Sequence, residues 1–304
     1  MKQFGCLIVG FRRTSELTQV MLKVRDERFD KVFISVDGAT GMNATVRSEN
    51  RAARQSAEGF VSQNGLDWDL LFPDTRLGII RNFTSSIDKA FESVDYLCIL
   101  EDDCVPSSGL LEYFRSLVEI QVSNKVLMFT FFRPDLPEIR EGYFLTHNPL
   151  MWGWAVSKEN WVAIKNGVLE ESKIRGFARN FSLPFQSFYF SGYSRALSGD
   201  SDALDALIAY FLIVNDRLVL GPPVNLVSNI GYGETATNTK DMSAYMNSLT
   251  TDWVNTENVK PNVKHTRFSI LRNDYAIARK MNGWKLHHLI SNAIRIKLLM
   301  LVRR

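Results

Sequence analysis

Three consecutive carboxylates, Glu101–Asp103, are the residues of this chain whose type and spacing point most directly to chemistry. This acidic triplet follows the apolar run Leu97–Leu100, which predicts a short strand buried on both faces. Acids at the carboxyl end of such a strand lie where open α/β sheets bind ligands. Their oxygens suit a hard divalent cation, and such a cation suits a diphosphate. The alternative interpretation is a solvated acidic turn before a helix that starts near Ser107.

Cations and a further acid follow other predicted strands. Arg12 and Arg13 come after the first strand, Asp37 ends the second, and Arg76 and Arg81 lie in a later loop. In a parallel sheet the carboxyl ends of the strands meet at one edge, so these side chains should share that edge with the acidic triplet. Cations beside a metal-binding acid cluster favour a nucleotide diphosphate as ligand. The sequence has no Gly-x-Gly-x-x-Gly or Walker-type lysine loop, which disfavours dehydrogenases and P-loop enzymes.

Strand and helix patterns alternate in the first part of the chain, which predicts a parallel, doubly wound α/β sheet flanked by helices. Apolar runs predict strands at Phe4–Gly10, Lys31–Gly38 and Trp68–Phe72. Helical spacing over Leu17–Val24 and the stretch Asn50–Ala57 predict the helices between them.

The patterns farther along the chain are less regular. In order, they predict a helix over Phe83–Phe91, a strand at Val126–Phe132, a helix at Lys158–Val168, a loop-rich insertion at Glu170–Gly199, a helix at Asp202–Val214, and extended pieces at Leu218–Pro223 and Asn225–Ile230. We therefore expect one α/β domain over about residues 1–240 and a helical, basic C-terminal extension over residues 241–304.

The composition is that of an ordinary soluble globular protein: 304 residues, 45% hydrophobic and 23% charged. The net charge of +3 is uneven, because residues 283–304 carry five cations and no acid and leave −2 for the rest. The near-neutral body gives no sign of a nucleic-acid surface. Three cysteines without zinc or disulfide spacing predict reduced thiols in a cytoplasmic protein.

Six pieces of the chain, in order, resemble GT-A glycosyltransferases. They are Phe11–Arg13, Val36–Gly38, Gly78–Ile87, Leu100–Ser107, Trp152–Ala155 and Asn225–Gly231. The likeness extends over most of residues 4–240 and is nearest to bacterial nucleotide-diphospho-sugar transferases, which are similar to the eukaryotic N-acetylglucosaminyltransferases of N-glycan branching. The resemblance implies a GT-A-type, Rossmann-like fold with a mixed, mostly parallel sheet.

The resemblance also implies roles for individual residues. Arg13 and Asp37 would hold the nucleotide base, and Glu101 and Asp102 would touch the nucleotide sugar. Asp103 would ligate a Mn²⁺ or Mg²⁺ ion that bridges both phosphates of a nucleotide-diphosphate sugar.

Three further residues have weaker signals. Arg81 could neutralise the diphosphate by bidentate contacts, or be a surface cation at a helix start. Trp152 and Trp154 could wall the sugar or acceptor site, although a buried tryptophan is more often part of the core.

The resemblance places a general base about twenty residues before the Asn225 stretch. Counting back without gaps gives Asp205, which Leu204 precedes where the family has a tryptophan. Asp200 and Asp202 are close enough to serve instead. An acid at a helix start is favourable in any case, so Asp205 also has a purely structural interpretation.

A second departure from the family is Asn238, which stands where relatives commonly have a histidine. An amide ligates a metal poorly, so a second protein ligand from this loop is in doubt.

The tail Trp284–Val302 is amphipathic at helical spacing and predicts a helix that can lie on an anionic membrane surface. The protein would then be peripheral on the inner face of the plasma membrane. A terminal helix docked on the body, with its basic side in water, is the alternative.

Together these patterns predict a metal-dependent, inverting glycosyltransferase. It would move a hexosyl or N-acetylhexosaminyl group from a nucleotide-diphosphate donor to a glycan or lipid-linked hydroxyl, in bacterial surface polysaccharide synthesis. A sugar-phosphate nucleotidyltransferase and a non-catalytic carbohydrate- or partner-binding protein are the alternative functions.

Overall fold

The acidic strand occupies a central position in the sheet. The computed structural model describes residues 2–119, 123–139, 142–168, 203–231, 266–281 and 294. In chain order, the strands of its eight-stranded sheet are β1 (Phe4–Gly10), β2 (Lys31–Val36), β3 (Trp68–Leu71), β4 (Tyr96–Glu101), β6 (Val126–Thr130), β7 (Phe144–Thr146), β8 (Trp154–Ser157) and β9 (Leu218–Gly221). A separate ribbon pairs β5 (Cys104–Pro106) with β10 (Val227–Asn229) in antiparallel fashion.

The strand order is β3-β2-β1-β4-β8-β6-β9-β7. The pairs β1–β2, β2–β3, β1–β4 and β6–β9 are parallel. Strand β8 runs antiparallel to β4 and β6, and β7 runs antiparallel to β9. The predicted α/β class with a mixed, mostly parallel sheet is therefore confirmed.

Helices cover both faces of this sheet. Those in the described part of the chain are α1 (Thr14–Glu27), α2 (Ala44–Gln63), α3 (Ile79–Ala90), α4 (Leu110–Glu119), α5 (Lys158–Val168), α6 (Leu204–Val214) and α7 (Arg267–Met281). Helix α5 has the bounds that the sequence predicted, whereas α2 is longer than the predicted Asn50–Ala57. It begins earlier because the Asn43 side chain caps it by accepting a hydrogen bond from the Val46 N–H at 2.9 Å.

Strand β4 is buried on both faces, as its apolar run predicted. Leu97 and Ile99 pack in one core cluster, with side chains from α3, α5 and α6. Cys98 and Leu100 pack in the other cluster, with side chains from α1, α2 and α4. Because two helical layers hold alternate residues, β4 cannot shift its register without exposing its apolar side chains, so the position of the acids that follow it is fixed.

Helix α7 is the described part of the predicted C-terminal extension, and it packs against β7. The buried Asp274 carboxylate joins it to the sheet. This group accepts hydrogen bonds from the Thr146 hydroxyl and the His147 backbone N–H, and contacts His147 Nδ1 at 2.8 Å. The predicted boundary near residue 240 and the tail Trp284–Val302, apart from Ile294, lie outside the described residues. In the described part of the chain, no helix is long and apolar enough to cross a membrane.

Helix α4, which follows the acidic triplet, is capped by a side chain from another helix. The Glu27 carboxylate, at the end of α1, accepts hydrogen bonds from the backbone N–H groups of Gly109 and Leu111, each at 2.8 Å. These donors belong to the start of α4 and have no partner within their own helix.

We expect Glu27→Ala to lower the free energy of unfolding by about 1–2 kcal/mol, because it leaves two helix-end donors without their acceptor. Urea unfolding followed by circular dichroism measures the change. Asp26→Ala is the matched control, since Asp26 is exposed and pairs only with Arg25 among its described contacts. It should stay within about 0.5 kcal/mol of the unsubstituted protein. Equal effects of the two substitutions would contradict this capping role.

Candidate functional site

A cavity of about 440 Å³ opens where the first, second and fourth strands end. We call it the carboxyl-edge cavity. Of the side chains that the sequence singled out, eight line it: Arg12, Arg13, Asp37, Arg76, Glu101, Asp102, Asp103 and Trp152. The expectation that the strand-following charges share one edge is thus met for most of them.

The acidic triplet is held together by one guanidinium group. Arg13 Nη1 contacts Asp103 Oδ2 closely and lies 3.4 Å from Asp102 Oδ1. The other oxygen of Asp102 accepts a hydrogen bond from the Phe11 backbone N–H at 3.2 Å. Although burial opposes its charged form, the carboxylates of Asp103 and Asp102 raise the pKa of Arg13 above its usual value. Arg13 therefore stays cationic and offsets part of the charge of the triplet.

One cation does not neutralise three acids, and two of them, Glu101 and Asp102, have raised pKa values. Removal from water, followed by repulsion from Asp103, Asp102 and Asp205, raises the pKa of Glu101 to about 8. Removal from water and the Asp103 charge raise the pKa of Asp102 to about 7. Arg13 lowers both values, but not enough to compensate. A cation bound in the cavity near neutral pH would therefore stabilise the charged forms of these two carboxyl groups.

The β5–β10 ribbon closes the cavity over Asp103. Asn229 Nδ2 donates to Asp103 Oδ1 at 3.3 Å, and the Ile230 N–H donates to the Asp103 carbonyl at 2.8 Å. A Cβ at Gly231 would overlap Asp103 Oδ2, so only glycine fits beside this carboxylate. These contacts explain why the stretch Asn225–Gly231 belongs to the site, although it lies far from the triplet in sequence.

Asp37 lines the cavity, but both of its carboxylate oxygens already accept hydrogen bonds from backbone N–H groups. They accept hydrogen bonds from the N–H groups of Gly38, Leu77 and Gly78 at 2.7–2.9 Å. A Cβ at Gly38 would overlap the backbone of Thr75, so the loop approaches closely only because residue 38 is glycine. The role that the structure gives Asp37 is to fix the loop over residues 75–78.

That loop presents Arg76, and not Arg81, to the cavity. Arg76 lines the cavity and is exposed, and it has no ion pair among the described residues. Arg81 lies in the first turn of α3, is exposed and is not among the lining residues. The sequence placed Arg81 in a loop because it gave no sign that the helix begins at Ile79. The structure does not support direct contact between Arg81 and a ligand in this cavity.

The two tryptophans separate in the same way. Trp152 lines the cavity, and its ring packs edge-on against Phe132 with centroids 4.9 Å apart. Trp154 is 0% exposed within β8, where it pairs with Ile99 of β4 and Thr130 of β6. Trp154 is therefore a core residue and does not wall the cavity, which corrects the sequence-based expectation.

Asn82 is a cavity residue that the sequence analysis did not identify. It is buried, and its Oδ1 accepts a hydrogen bond from the Ser35 hydroxyl at 3.0 Å. The Ser35 hydroxyl in turn accepts one from Ser86 at 2.8 Å. Since this chain fixes the amide, Nδ2 is the atom that Asn82 can offer to a ligand. Its place in the family-like stretch Gly78–Ile87 was the available signal.

Asp205 lies at the edge of the site. It is in the first turn of α6 and exposed, outside the cavity lining, yet close enough to Glu101 to raise the pKa of that carboxyl. Its protein surroundings raise the pKa of Asp205 itself by desolvation, opposed by hydrogen bonds from the N–H groups of Ala206 and Asp205. The alternative bases Asp200 and Asp202, the insertion Glu170–Gly199, and Asn238 lie outside the described residues.

The chemistry of the donor set decides whether a divalent cation fits. In the described part of the chain, no three His, Cys, Asp or Glu side chains converge as a metal-binding group. Ions such as Mg²⁺ are, however, commonly held by one or two carboxylates together with substrate phosphates and water. Asp103 fits such a site as a single protein ligand.

No protein-family model matches this chain, and no curated protein matches it either. Among solved structures it is similar to a cytidylyltransferase from Leptospira borgpetersenii, with 14% identity, 55% of this chain and 65% of that chain covered, and a TM-score of 0.35. It is also similar to a nucleotidyl transferase from Methanothermobacter, with 10% identity, coverage of 76% and 92%, and a TM-score of 0.45.

A mannosyltransferase from Pyrobaculum calidifontis, solved with GDP-mannose and Mn²⁺, is similar at 11% identity, with coverage of 71% and 69% and a TM-score of 0.38. The chain thus spans about two thirds of the length of the cytidylyltransferase and of this enzyme. At TM-scores below 0.5 these likenesses do not indicate a function for this chain.

The raised pKa of Glu101 predicts a pH-dependent stability. An unfolded glutamate loses its proton near pH 4.5, whereas the folded Glu101 keeps its proton up to about pH 8. Between these values the folded state binds more protons, so stability should fall as the pH rises through this range. Glu101→Gln cannot ionise and should therefore reduce the loss.

Thermal unfolding at pH 5 and pH 8 measures this difference. Glu49→Gln is the matched control, since Glu49 is an exposed acid that pairs with Arg12 at the same side of the molecule. It should keep the pH dependence of the unsubstituted protein. An unchanged pH dependence in Glu101→Gln would contradict the assignment of a raised pKa.

Proposed function

We propose that this protein transfers a sugar from a nucleotide-diphosphate donor to a hydroxyl group of a glycan or glycolipid acceptor. The observation that carries the proposal is the set of charges in the carboxyl-edge cavity. The acidic triplet, Arg13 and Arg76 meet there at the ends of parallel strands. Such an edge is the ligand-binding side of open α/β sheets. The resemblance of six ordered sequence pieces to GT-A glycosyltransferases supports the same conclusion.

Each lining residue has a task that its surroundings allow. Arg76 is exposed and can form bidentate hydrogen bonds with a phosphate. Asn82 offers a fixed amide donor to the nucleoside. Trp152 provides an apolar wall on which a sugar ring can pack. When bound at Asp103, Mn²⁺ or Mg²⁺ would supply positive charge against the departing diphosphate.

Asp205 is the proposed general base. Its carboxylate lies near Glu101 and yet faces solvent, from which an acceptor would arrive. A pKa raised by desolvation makes a carboxylate a better proton acceptor than an ordinary aspartate. Proton removal from the acceptor hydroxyl at Asp205 would permit direct displacement and inversion at the anomeric carbon.

A nucleotidyltransferase would use the same kind of cavity. Such an enzyme is expected to have a glycine-rich, lysine-containing loop after the first strand, and residues 11–15 read Phe-Arg-Arg-Thr-Ser.

Bacterial surface polysaccharide as the product, and a position on the inner face of the plasma membrane, stay predictions from the sequence.

The first test of the proposal uses donors. A panel of nucleotide sugars is screened by thermal unfolding with and without Mn²⁺, because a bound donor stabilises the folded state by mass action. We then expect Asp103→Asn to lower transfer of the identified sugar by roughly 10²–10³-fold, since the amide neither ligates a metal well nor carries charge. Release of the nucleoside diphosphate measures transfer.

Asp67→Asn is the control for this substitution. It makes the same chemical change at an exposed residue before β3, at the opposite end of the strands. Transfer by Asp103→Asn at the rate of the unsubstituted protein would refute the proposed function. Release of pyrophosphate from a nucleoside triphosphate and a sugar phosphate would establish the nucleotidyltransferase instead.

The base is tested separately from the donor site. Asp205→Ala should keep the affinity for the nucleotide and lower transfer by about 10²–10⁴-fold, because a base acts on the acceptor. Asp216→Ala is the control at the other end of the same helix, where Asp216 pairs with Lys125. Selective loss in Asp200→Ala or Asp202→Ala would move the base there. Proton NMR of the first-formed product decides the stereochemistry, and a retained configuration would refute inversion.

A further inference from the structure

Arg13 occupies the position where a divalent cation would be needed. Its guanidinium contacts Asp103 Oδ2 and lies 3.4 Å from Asp102 Oδ1. The other oxygen of Asp103 accepts from Asn229 Nδ2 at 3.3 Å. Both oxygens of Asp103, the candidate metal ligand among the described residues, therefore have donors already. Among the described residues, Arg13 is the only cation that pairs with the acidic triplet.

A metal ion and this guanidinium cannot both use Asp103 Oδ2. The two are cations that would lie a few ångströms apart in a partly buried site, where charges interact far more strongly than in water. Gly231 lies against the same oxygen, and a Cβ there would come within 2.7 Å of Arg13 Nη1. An ion at Asp103 Oδ2 would therefore lie directly against the Arg13 guanidinium.

The Arg13 side chain makes no hydrogen bond that caps α1, so a change in its position would leave the start of this helix in place. Arg13 is the residue before α1, and no side-chain hydrogen bond caps that helix. The ion pairs with Asp102 and Asp103 are the interactions that hold its guanidinium. A diphosphate in the cavity would offer it planar, bidentate hydrogen bonds to an anion of higher charge density.

We propose that Arg13 is an internal competitor of the divalent cation at Asp103, and that the diphosphate of the donor relieves the competition by taking the guanidinium. The proposal rests on the proposed function, because it assumes a nucleotide-diphosphate ligand. It gives Arg13 a role different from binding the nucleotide base. Arg13 is a positioning residue that couples occupation of the metal site to the arrival of the nucleotide.

Two consequences distinguish this exchange from simple bridging of a metal by phosphates. The protein alone binds a divalent cation weakly, and removal of the Arg13 guanidinium strengthens that binding in the absence of nucleotide. In the unsubstituted protein, nucleoside diphosphate strengthens cation binding, and by linkage the cation strengthens nucleotide binding by the same factor. In a variant without the guanidinium, this mutual strengthening is smaller.

The experiment measures free Mn²⁺ by electron paramagnetic resonance as the ion is titrated into the protein, alone and with UDP or GDP. Arg13→Gln is expected to bind Mn²⁺ without nucleotide about tenfold or more tightly than the unsubstituted protein. Adding Asp103→Asn to Arg13→Gln should abolish the gain, which assigns the ion to Asp103. Arg12→Gln is the matched control, because it removes an equal charge from the neighbouring residue, which lines the same cavity and pairs with Glu49.

An affinity for Mn²⁺ alone that is equal in the unsubstituted protein and Arg13→Gln would overturn the proposal. An equal gain in Arg12→Gln would overturn it too, because the effect would then be one of general charge. If Arg13→Gln does not fold, the unsubstituted protein alone tests the proposal. An affinity for Mn²⁺ that is equal with and without UDP or GDP would then refute the competition. Sugar transfer by a protein that fails these tests would refute the exchange and leave the proposed function standing.

Discussion

Repulsion among three carboxylates at the end of one buried strand is the constraint on which the rest of the site depends. The structure offsets this repulsion with a single guanidinium, from Arg13, and with backbone and amide donors from Phe11 and Asn229. Removal from water, together with the remaining negative charge, raises the pKa of Glu101 to about 8 and that of Asp102 to about 7. A site in this condition gains free energy from any cation that it can admit.

The fold holds these charges in place because β4 is fixed from both sides. Its alternate residues pack into separate helical layers, so neither face can move independently. The neighbouring parallel strands end at the same edge and deliver Arg13 and Asp37 there. Asp37 then fixes a loop that brings Arg76 to the cavity. Backbone donors thus hold Asp37 and Asp102. Arg13, by contrast, is held by ion pairs with the acidic triplet, and Arg76 is exposed.

The sequence predicted the parts of this arrangement that depend on contiguous patterns. Strand β4, helix α5 and the acids of the cavity follow from local apolar spacing and from residue type. The local sequence did not predict that Arg76, and not Arg81, lines the cavity, because Gly78 precedes α3 without a capping side chain. The orientation of the Asn82 amide depends on a hydrogen bond from Ser35, which is 47 residues away in sequence. Trp152 and Trp154 look alike in the sequence, and only the pairing of β8 inside the sheet assigns the second to the core.

The charge of the cavity also bears on the choice between sugar transfer and nucleotidyl transfer. Its lining carries three arginines, Arg12, Arg13 and Arg76, and four acids, Asp37 and the acidic triplet, of which Glu101 keeps its proton up to about pH 8. A nucleotide-diphosphate sugar brings about two negative charges, which one divalent cation at Asp103 would balance. A nucleoside triphosphate with a sugar phosphate brings about six, so the same lining would need more cationic groups than it has. Arg12 forms an ion pair with Glu49, so less of its positive charge is available to a phosphate. This comparison of charge supports the proposed diphosphate donor, whose charge one divalent ion at Asp103 would offset.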